Sequence, residues 1–397
     1  MPHYSIAPPR ILILTASVGA GHIRAAEAVE LAIKQLAPAA TVRNVDLMTC
    51  ATAGFRQAYS KWYLDLVSKA PHLLGYFYDL TDRPPSKSVA DQVRRLVQRA
   101  NLTKLNPILA EPWDIIVNTH FLPAEIIARL RDKKKSPMRP ESPQARPNFA
   151  PQFTVVTDFD AHGLWVNPPT DHYFVATEEA ALSLGRWGVD RSIISTTGIP
   201  IDPVFAQPKD VKFCRDKHGL SHDRPAVLLL AGGFGVGPIE QLFEAALQVE
   251  KPIHLAVVCG KNEALKKSLA KIKPPTRHKT TVLGFTREMD ELMAAADVVV
   301  SKPGGLTTSE ILARGAAMII VNPIPGQESR NSDYLLEHGA AIKANSAAVL
   351  SHKLGTLLSS AGKQSKLSTV RENAALLGHP RAAFEIAEAV LKAAHAR

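Results

Sequence analysis

The stretch Ser301-Lys302-Pro303-Gly304-Gly305-Leu306-Thr307-Thr308-Ser309-Glu310 decides how the second half of the chain folds and what it binds. It follows the apolar run 297–300, which predicts a buried strand, and it continues into a helix. The glycine pair leaves backbone N–H groups of Gly305 and Leu306 free at the helix start, where the hydroxyls of Thr307 and Thr308 join them to face an anion. Glu310 lies about one helical turn further on, where a carboxylate can accept both hydroxyls of a ribose. The stretch therefore predicts a pocket for a nucleoside diphosphate.

The length and composition of the chain indicate a two-domain protein. Its 397 residues exceed what one hydrophobic core usually organises, and 46% of them are hydrophobic. The three cysteines show no metal-ligand spacing, which favours inert packing residues in a reducing cytoplasm. No apolar stretch approaches the roughly 20 residues that span a bilayer, and the N-terminus lacks the apolar core of a signal peptide. We expect a cytoplasmic protein that meets a membrane, if at all, on one face.

The net charge of +10 indicates an anionic partner. Nucleic acid, an anionic lipid surface and a phosphorylated substrate all fit this charge. Nucleic acid is the weakest candidate, because the sequence shows no zinc-finger spacing, helix-turn-helix signature or aromatic-basic strand pair. We therefore expect no nucleic acid partner.

Short apolar runs alternate with helical stretches along the chain, and this rhythm predicts parallel sheets with helices on both faces. The predicted strands are 11–14, 42–45, 115–117, 153–156, 173–175 and 193–195 in the first half, and 227–230, 255–258, 282–283, 298–300 and 318–321 in the second. Two Rossmann-like domains suit this number of strands better than one sheet. Proline and glycine at 198–203 predict the boundary, with domains at 1–200 and 201–375 and a helical segment at 376–397. The proline-rich stretch 133–152 is predicted to be a surface insertion.

Each half begins with a strand, a glycine-rich turn and a helix. The turns are Ser17-Val18-Gly19-Ala20-Gly21-His22 and Gly232-Gly233-Phe234-Gly235-Val236-Gly237. Glycine suits a turn with unusual backbone angles and a ligand close to the main chain, which makes Gly21, Gly232 and Gly233 candidates for donor binding. A nicotinamide dinucleotide fingerprint fits less well, because Arg24 and Pro238 occupy the third glycine position although Asp46 mimics its acidic residue. A triphosphatase loop is excluded, since no G-K-[ST] follows these glycines.

The order and spacing of six motifs carry a family resemblance. They are Gly19-Ala20-Gly21-His22, Thr157-Asp158-Phe159 with His162 and Trp165, Thr197-Gly198-Ile199-Pro200, Gly232-Gly233-Phe234-Gly235, Ser301-Lys302-Pro303-Gly304-Gly305 and Pro325-Gly326-Gln327-Glu328. The chain resembles the glycosyltransferases that make monogalactosyl- and processive glucosyl-diacylglycerols, which are related to the N-acetylglucosaminyltransferase of the peptidoglycan lipid precursor. The resemblance implies an α/β fold of GT-B architecture, in which two Rossmann-like domains face each other across a cleft and the last helix crosses back to the first domain.

The resemblance also implies the reaction: inverting transfer of a hexose, galactose or glucose, from a UDP-sugar to a lipid acceptor such as diacylglycerol. It implies no required metal or other cofactor. The residues agree, because no Asp-x-Asp pair stands where it would hold a metal against the diphosphate, so amides and hydroxyls must stabilise the departing UDP.

His22 and Asp158 are the candidate catalytic residues. An imidazole with an ordinary pKa of about 6.5 suits a general base near neutral pH. His22 could instead only cap its helix or satisfy a buried amide. Asp158 could orient the base, help the acceptor hydroxyl lose its proton, or make only local turn bonds.

Three further residues are predicted to bind the donor. Gln327 and Glu328 are expected to read adjacent hexose hydroxyls, because matched polar groups discriminate between sugars, although they could be the polar residues of an exposed turn. Phe285 is predicted to lie beside the uracil, and a core position is nearly as plausible.

The stretch Phe55 to Arg99 is rich in aromatic and basic residues. Its aromatic side chains include Tyr59, Trp62, Tyr63, Tyr76 and Phe77. Aromatic rings favour the bilayer interface and basic residues favour an anionic lipid surface, so we expect this stretch to meet the membrane and admit the lipid. The alternative is a helical insertion whose aromatics face the core. The resemblance adds His162 and Trp165 to the acceptor side, so we expect peripheral association with the membrane.

Other functions fit the same sequence. Transfer of N-acetylglucosamine to a polyprenyl-linked peptidoglycan precursor uses the same fold, and a UDP-sugar epimerase can share it. A sugar-nucleotide sensor that regulates a partner is the alternative outside enzymology.

Overall fold

The computed structural model describes residues 7–17, 19–57, 75–76, 78, 80–84, 101–132, 150–232, 238–359 and 365–396. The chain divides into two compact units, Met1–Pro203 with Arg381–Arg397, and Val204–Pro380. Each unit contains a six-stranded sheet whose neighbouring strands are parallel. The predicted α/β class with two Rossmann-like halves is confirmed.

The first unit is a doubly wound sheet with strand order β2-β1-β3-β4-β5-β6. The strands are β1 Arg10–Thr15, β2 Thr41–Asp46, β3 Ile115–Asn118, β4 Gln152–Val155, β5 His172–Val175 and β6 Ile194–Thr196. The helices are α1 Ala20–Leu36, α2 Leu105–Leu109, α3 Phe121–Arg131, α4 Glu178–Arg186 and, from the end of the chain, α13 Ala382–His395. Most of the predicted insertion at 133–152 lies outside the described residues, and β4 begins at Gln152.

Both faces of this sheet are covered, which explains why its inner strands β3 and β4 are buried along their whole length. Alternate side chains of β1, β3 and β4 pack against α1 and α13 on one face, among them Ile11, Ile13, Val117, Val155, Val29, Ile33, Ile386 and Val390. The intervening side chains pack on the other face with α2 and α3, among them Leu12, Leu14, Ile116, Leu105 and Ile127. The C-terminal helix α13 thus completes the core of the first unit.

The second unit has strand order β12-β11-β10-β7-β8-β9. Its strands are β7 Ala226–Leu230, β8 His254–Val258, β9 Lys279–Leu283, β10 Val298–Ser301, β11 Ala317–Val321 and β12 Ala341–Ala344. Its helices are α5 Val211–Lys217, α6 Ile239–Ala246, α7 Glu263–Leu269, α8 Met289–Ala295, α9 Gly305–Ala313, α10 Gln327–Glu337, α11 Ala347–Ser359 and α12 Lys366–Leu376.

The two edge strands of this second sheet depart most from expectation. Strand β12 is absent from the predicted set, and β9 begins three residues earlier than predicted. Both are edge strands with lysines, Lys343 and Lys279, so their apolar signal is weak.

Among the helices that the structure describes, none combines the length and the apolar composition that crossing a bilayer requires.

Candidate active site

His22 lies in the first turn of α1, immediately after β1. The helix starts behind Gly19, whose φ of 109° is a conformation that favours glycine. The ring Nδ1 is 3.1 Å from the carbonyl oxygen of Thr119 and 2.8 Å from Oγ1 of Thr157. Thr119 follows β3 and Thr157 lies just beyond β4, and these strands lie side by side with β1 in the order β1-β3-β4. The carboxyl ends of three neighbouring parallel strands therefore meet at this ring.

The contacts determine which ring nitrogen carries the proton in neutral His22. A carbonyl oxygen can only accept, so the contact with Thr119 places the hydrogen on Nδ1, and the Thr157 hydroxyl oxygen accepts the same hydrogen. This tautomer is assigned from the hydrogen-bond network. The other nitrogen, Nε2, then presents its lone pair, and the residue as a whole is partly exposed. A general base needs such an acceptor.

Burial lowers the pKa of His22 from about 6.5 to about 4, although the hydrogen bond to the Thr119 carbonyl raises it in part. The sequence alone suggested an ordinary pKa. His22 is consequently neutral at pH 7 and able to accept a proton, but it is a weaker base at rest than a solvated imidazole.

His120 is a neighbour of His22 that the sequence reading missed. Its ring packs edge-on against His22 with centroids 4.5 Å apart, and its Nδ1 accepts the backbone N–H of Leu122 at 3.0 Å, which caps α3. Burial, followed by the proximity of His22, lowers the pKa of His120 well below its ordinary value. The available signal was its place shortly after the predicted strand 115–117.

The other first-unit candidates lie nearby. Trp165 is buried, and its ring centroid is 6.3 Å from that of His22. Asp158 directly follows Thr157 and is partly exposed, but the oxygens that contact Nδ1 belong to the two threonines. The orienting role of Asp158 stays a prediction.

His162 has a structural role in this fold. Its Nδ1 accepts the N–H of Leu164 at 3.1 Å, and its Nε2 donates to the carbonyl of Tyr78 at 2.8 Å. Gly163 is tightly packed as well, since an added Cβ would approach the backbone of Arg83 to 2.4 Å. These contacts hold Tyr78 and Arg83 against the turn at residues 162–164, and contact of His162 with an acceptor stays a prediction.

Few of the predicted membrane residues fall in the described part of the chain. Tyr76 is 64% exposed, so this aromatic side chain does not face the core. Tyr59, Trp62, Tyr63 and Phe77 lie outside the described residues. The proposed membrane role of the stretch therefore depends on Tyr76 among these five.

In the second unit, the predicted anion-binding turn lies between β10 and α9. Gly304 is the N-cap in an extended conformation, and no side chain among the described residues caps it. The N–H of Thr308 donates to the carbonyl of Gly304 at 2.9 Å, so the three amides before Thr308 lie ahead of the helical bonds. Gly305 and Leu306 are buried, whereas Gly304 and Thr307 are partly exposed. The accessible side of the helix start is thus formed by Gly304 and Thr307.

Thr308 and Glu310 are more enclosed than the sequence suggested. Thr308 is completely buried and Glu310 is 1% exposed. The Thr307 hydroxyl, rather than that of Thr308, is therefore on the accessible side. The contact of Glu310 with a ribose stays a prediction. It requires the ribose to reach the buried carboxylate through the turn at Gly304.

Helix α10 braces the same turn. The buried Asn331, which the sequence reading missed, donates from Nδ2 to the carbonyl of Pro303 at 3.1 Å. Glu328 accepts the N–H of Ile324 at 2.7 Å, and α10 starts at Gln327 behind Gly326, whose φ is 99°. Gln327 and Glu328 are partly exposed, so their predicted sugar contacts remain sterically possible. Oε2 of Glu328 therefore already accepts a hydrogen bond from the turn that precedes α10.

Phe285 follows β9 and is 63% exposed, which excludes the alternative of a core phenylalanine. The Lys261 ammonium lies 5.8 Å from the ring centroid. Gly232 follows β7 with a φ of 75°, and Gly233 is outside the described residues. An exposed ring at the carboxyl end of a parallel strand is available for stacking on a base.

Local contacts account for two other groups that could have bound a ligand, Asp46 and the cluster around His218. Asp46 accepts the N–H groups of Ser17 and Met48, each at 3.0 Å, so this carboxylate closes a turn instead of presenting itself to a dinucleotide ribose. In the described part of the chain, His218, Glu288 and Glu291 have geometry that could hold a metal. However, Lys217 lies 2.8 Å from both glutamates, which explains this group as an ion-pair network.

Comparison with known proteins identifies the family. Residues 22–201 match the family model of monogalactosyldiacylglycerol (MGDG) synthase, and residues 228–386 match the glycosyltransferase family 28 C-terminal domain. The processive diacylglycerol beta-glucosyltransferase of Bacillus cytotoxicus is 30% identical over 99% of this chain and 96% of its own. The Bacillus subtilis enzyme of that name is 31% identical over 85% of this chain and 83% of its own.

The chain belongs to the monogalactosyldiacylglycerol synthase and processive diacylglycerol glucosyltransferase family. It is a glycosyltransferase, as the sequence predicts. The solved structures of Acinetobacter baumannii MurG and of Anabaena Alr3699/HepE in complex with UDP-glucose match it with TM-scores of 0.55 and 0.54. They cover 97% and 96% of this chain, and it covers 100% and 99% of theirs, at 16% and 14% identity. At this identity they bear on the fold alone, and they confirm the GT-B class of the transferase.

Proposed function

We propose that this glycosyltransferase transfers a hexose from a UDP-sugar to the hydroxyl of diacylglycerol and gives a β-glycosyl-diacylglycerol. The observation that carries the proposal is the arrangement of His22, whose Nδ1 is held by two oxygens while Nε2 is left to accept a proton. The names of the curated relatives support diacylglycerol as the acceptor and glucose as the sugar. The family model is named for a galactosyl product, so galactose is the second donor to test.

The reaction is a single displacement. The acceptor oxygen forms a bond with the anomeric carbon as its proton moves to Nε2 of His22, and the bond from the anomeric carbon to the UDP oxygen breaks with its electron pair going to UDP. Attack from the face opposite the leaving group inverts the anomeric configuration. Because the resting pKa of His22 is about 4, proton transfer must accompany attack, when the acceptor hydroxyl becomes more acidic.

We further propose that the departing UDP is stabilised by the amino end of α9. Backbone N–H groups and the helix dipole there favour negative charge, and they cost no reorganisation as the charge develops. Thr307 adds a hydroxyl on the accessible side. This supply of donors makes a bound divalent metal unnecessary, and chelation by EDTA should leave the rate unchanged.

Peripheral association with the membrane is part of the proposal. Diacylglycerol resides in the bilayer, so the enzyme must reach the lipid surface. The net charge of +10 favours anionic lipid, and Tyr76 and Leu80 expose 64% and 56% of their surfaces. Sedimentation with vesicles that contain anionic lipid should capture the enzyme, and neutral vesicles should capture less.

The test of the proposed reaction uses purified enzyme, vesicles that contain diacylglycerol, and either UDP-glucose or UDP-galactose. Mass spectrometry should detect one glycolipid that depends on enzyme, donor and lipid, and NMR should show a β linkage. Donor conversion in lipid-free buffer would instead indicate an epimerase. UDP-sugar binding with no glycolipid from either donor would overturn the assignment.

A further inference from the structure

Among the described residues, the two oxygens that contact the His22 ring are both uncharged. The Thr119 carbonyl and the Thr157 hydroxyl contact Nδ1 at 3.1 and 2.8 Å. Both threonines are buried, Thr119 at 0% and Thr157 at 3% exposure. Two fixed dipoles therefore occupy the side of the ring where a carboxylate would stabilise an imidazolium.

We propose that Thr157 is a positioning residue for the transfer reaction, whose hydroxyl holds His22 with Nε2 directed to the acceptor hydroxyl. This inference rests on the function proposed above and extends it to a buried residue that contacts His22. Thr157 acts through His22 alone, so it should influence the chemical step and leave donor binding unchanged.

The neighbouring Thr119 explains why Thr157 is the adjustable contact. Thr119 holds His22 twice, since its carbonyl accepts from Nδ1 and its hydroxyl donates to the His22 carbonyl at 3.0 Å. The carbonyl is main chain, and no side-chain substitution removes it. The Thr157 hydroxyl is the second oxygen at Nδ1, and it is the one that a side-chain substitution can remove.

Uncharged partners also have a chemical consequence. A carboxylate at Nδ1 would favour the protonated ring, whereas a carbonyl and a hydroxyl stabilise it only through their dipoles. The proton that Nε2 accepts from the lipid hydroxyl is therefore held weakly and passes on to solvent after UDP leaves. This arrangement favours rapid return to the neutral base.

The test compares Thr157→Val with Thr154→Val. Thr154 is a matched control, because it is a buried threonine in β4, 0% exposed, and its Oγ1 has no hydrogen-bond partner among the described residues. We expect Thr157→Val to lower kcat about 5–10-fold, as for the loss of one hydrogen bond, with the donor KM within about twofold of wild type. Thr154→Val should keep kcat within about twofold, and Thr157→Ser should restore most of the loss.

A second readout needs no substrate and separates this inference from the proposed function. Nitrogen-15 NMR of the His22 ring should show Nδ1–H and an unprotonated Nε2 in the wild type. Thr157→Val should keep this tautomer, which the Thr119 carbonyl fixes, and should shift the Nδ1 resonance because one of its two oxygen contacts is lost. If Thr157→Val does not fold, Thr157→Ala serves with the same expectations. Wild-type kcat with unchanged ring shifts, or equal losses in the Thr157 and Thr154 variants, would overturn the inference. If the wild-type enzyme glycosylates no lipid, the proposed function is wrong. The ring shifts would still test whether Thr157 positions His22.

Discussion

The first turns of α1 and α9 have the same construction and different tasks. Each follows a buried parallel strand, each has glycine as its N-cap, and in neither does a side chain among the described residues cap the helix. The third helical residue is His22 in one unit and Thr307 in the other. The same supersecondary unit therefore presents a titratable ring in one place and hydrogen-bond donors in the other.

The surroundings decide this difference. In the first unit, the ends of β3 and β4 supply Thr119 and Thr157, which hold a side chain. In the second, Asn331 of α10 holds the carbonyl of Pro303, which fixes the main chain ahead of the helix. The contacts in the first unit fix the orientation of the His22 ring. The contact in the second unit fixes the main chain at Pro303, ahead of the amides that begin α9.

His22 is the residue whose substitution should reduce activity most. Replacing His22 with Ala should lower kcat about 10²–10⁴-fold, because that is the usual contribution of a positioned general base. Calorimetry should show unchanged UDP affinity, since the predicted donor contacts in the second unit are intact. Sugar transfer at the wild-type rate would contradict the role of His22.

The next effect tests the binding side. Glu310→Gln should weaken UDP binding roughly tenfold to a hundredfold, as for the loss of a charged hydrogen bond worth about 1.5–3 kcal/mol. If the carboxylate binds the ribose, 2′-deoxy-UDP should bind more weakly than UDP to the wild type and nearly as well as UDP to the variant. Equal discrimination by both proteins would argue that Glu310 has only a structural role.

A third prediction concerns pH and should distinguish the two turns. The pKa of His22 is lowered to about 4 and that of His120 is lowered as well, so between pH 6.5 and 4 the folded state binds fewer protons than the unfolded state. The free energy of unfolding should therefore fall as the pH falls through this window, by at most about 2 kcal/mol per histidine at pH 5.

Denaturant titrations at pH 7.5 and 5.0 measure this change. The variants His22→Gln and His120→Gln should each lose part of the pH dependence. Thr307→Val, in the other turn, should retain all of it. A pH dependence that is the same in all four proteins would show that the histidine pair is not its source.

Phe285, on the predicted donor side, should contribute less to UDP binding than Glu310. Phe285→Ala should weaken UDP binding about fivefold to tenfold, because stacking on a base is worth about 1 kcal/mol or more. Thermal stability should be almost unchanged, since the ring is 63% exposed. Phe213→Ala is the matched control, because Phe213 is 61% exposed on α5 and has no predicted ligand role. Equal UDP affinity in the two variants would remove Phe285 from the site.

Much of the fold was predictable from local pattern. Eleven strands were expected where the described structure has strands, because buried parallel strands are short apolar runs between turn residues. The missed strand, Ala341–Ala344, is an edge strand that contains Lys343, so it lacks that pattern. The position of His22 at a helix start was also predictable, since a strand and a glycine turn precede it.

The contacts within the site were not predictable in the same way. Thr119, His120 and Thr157 are distant from His22 along the chain, and Asn331 is distant from Pro303. Only the order β1-β3-β4 brings the first three together, and strand order is not written in the spacing of apolar residues. The same holds for the exposure of Phe285 and the burial of Thr308.

The sequence was enough to predict the parallel α/β class and the glycine turns that precede α1 and α9. It was also enough to predict that His22 can accept a proton and that the turn at Gly304 offers hydrogen-bond donors. These depend on neighbours within a few residues, whose influence is local. Tertiary structure alone decided that two uncharged oxygens hold the imidazole, that its pKa falls to about 4, and that Thr307 rather than Thr308 is accessible. Dielectric environment and orientation arise from segments that meet only after the sheet has formed, so no local pattern contains them.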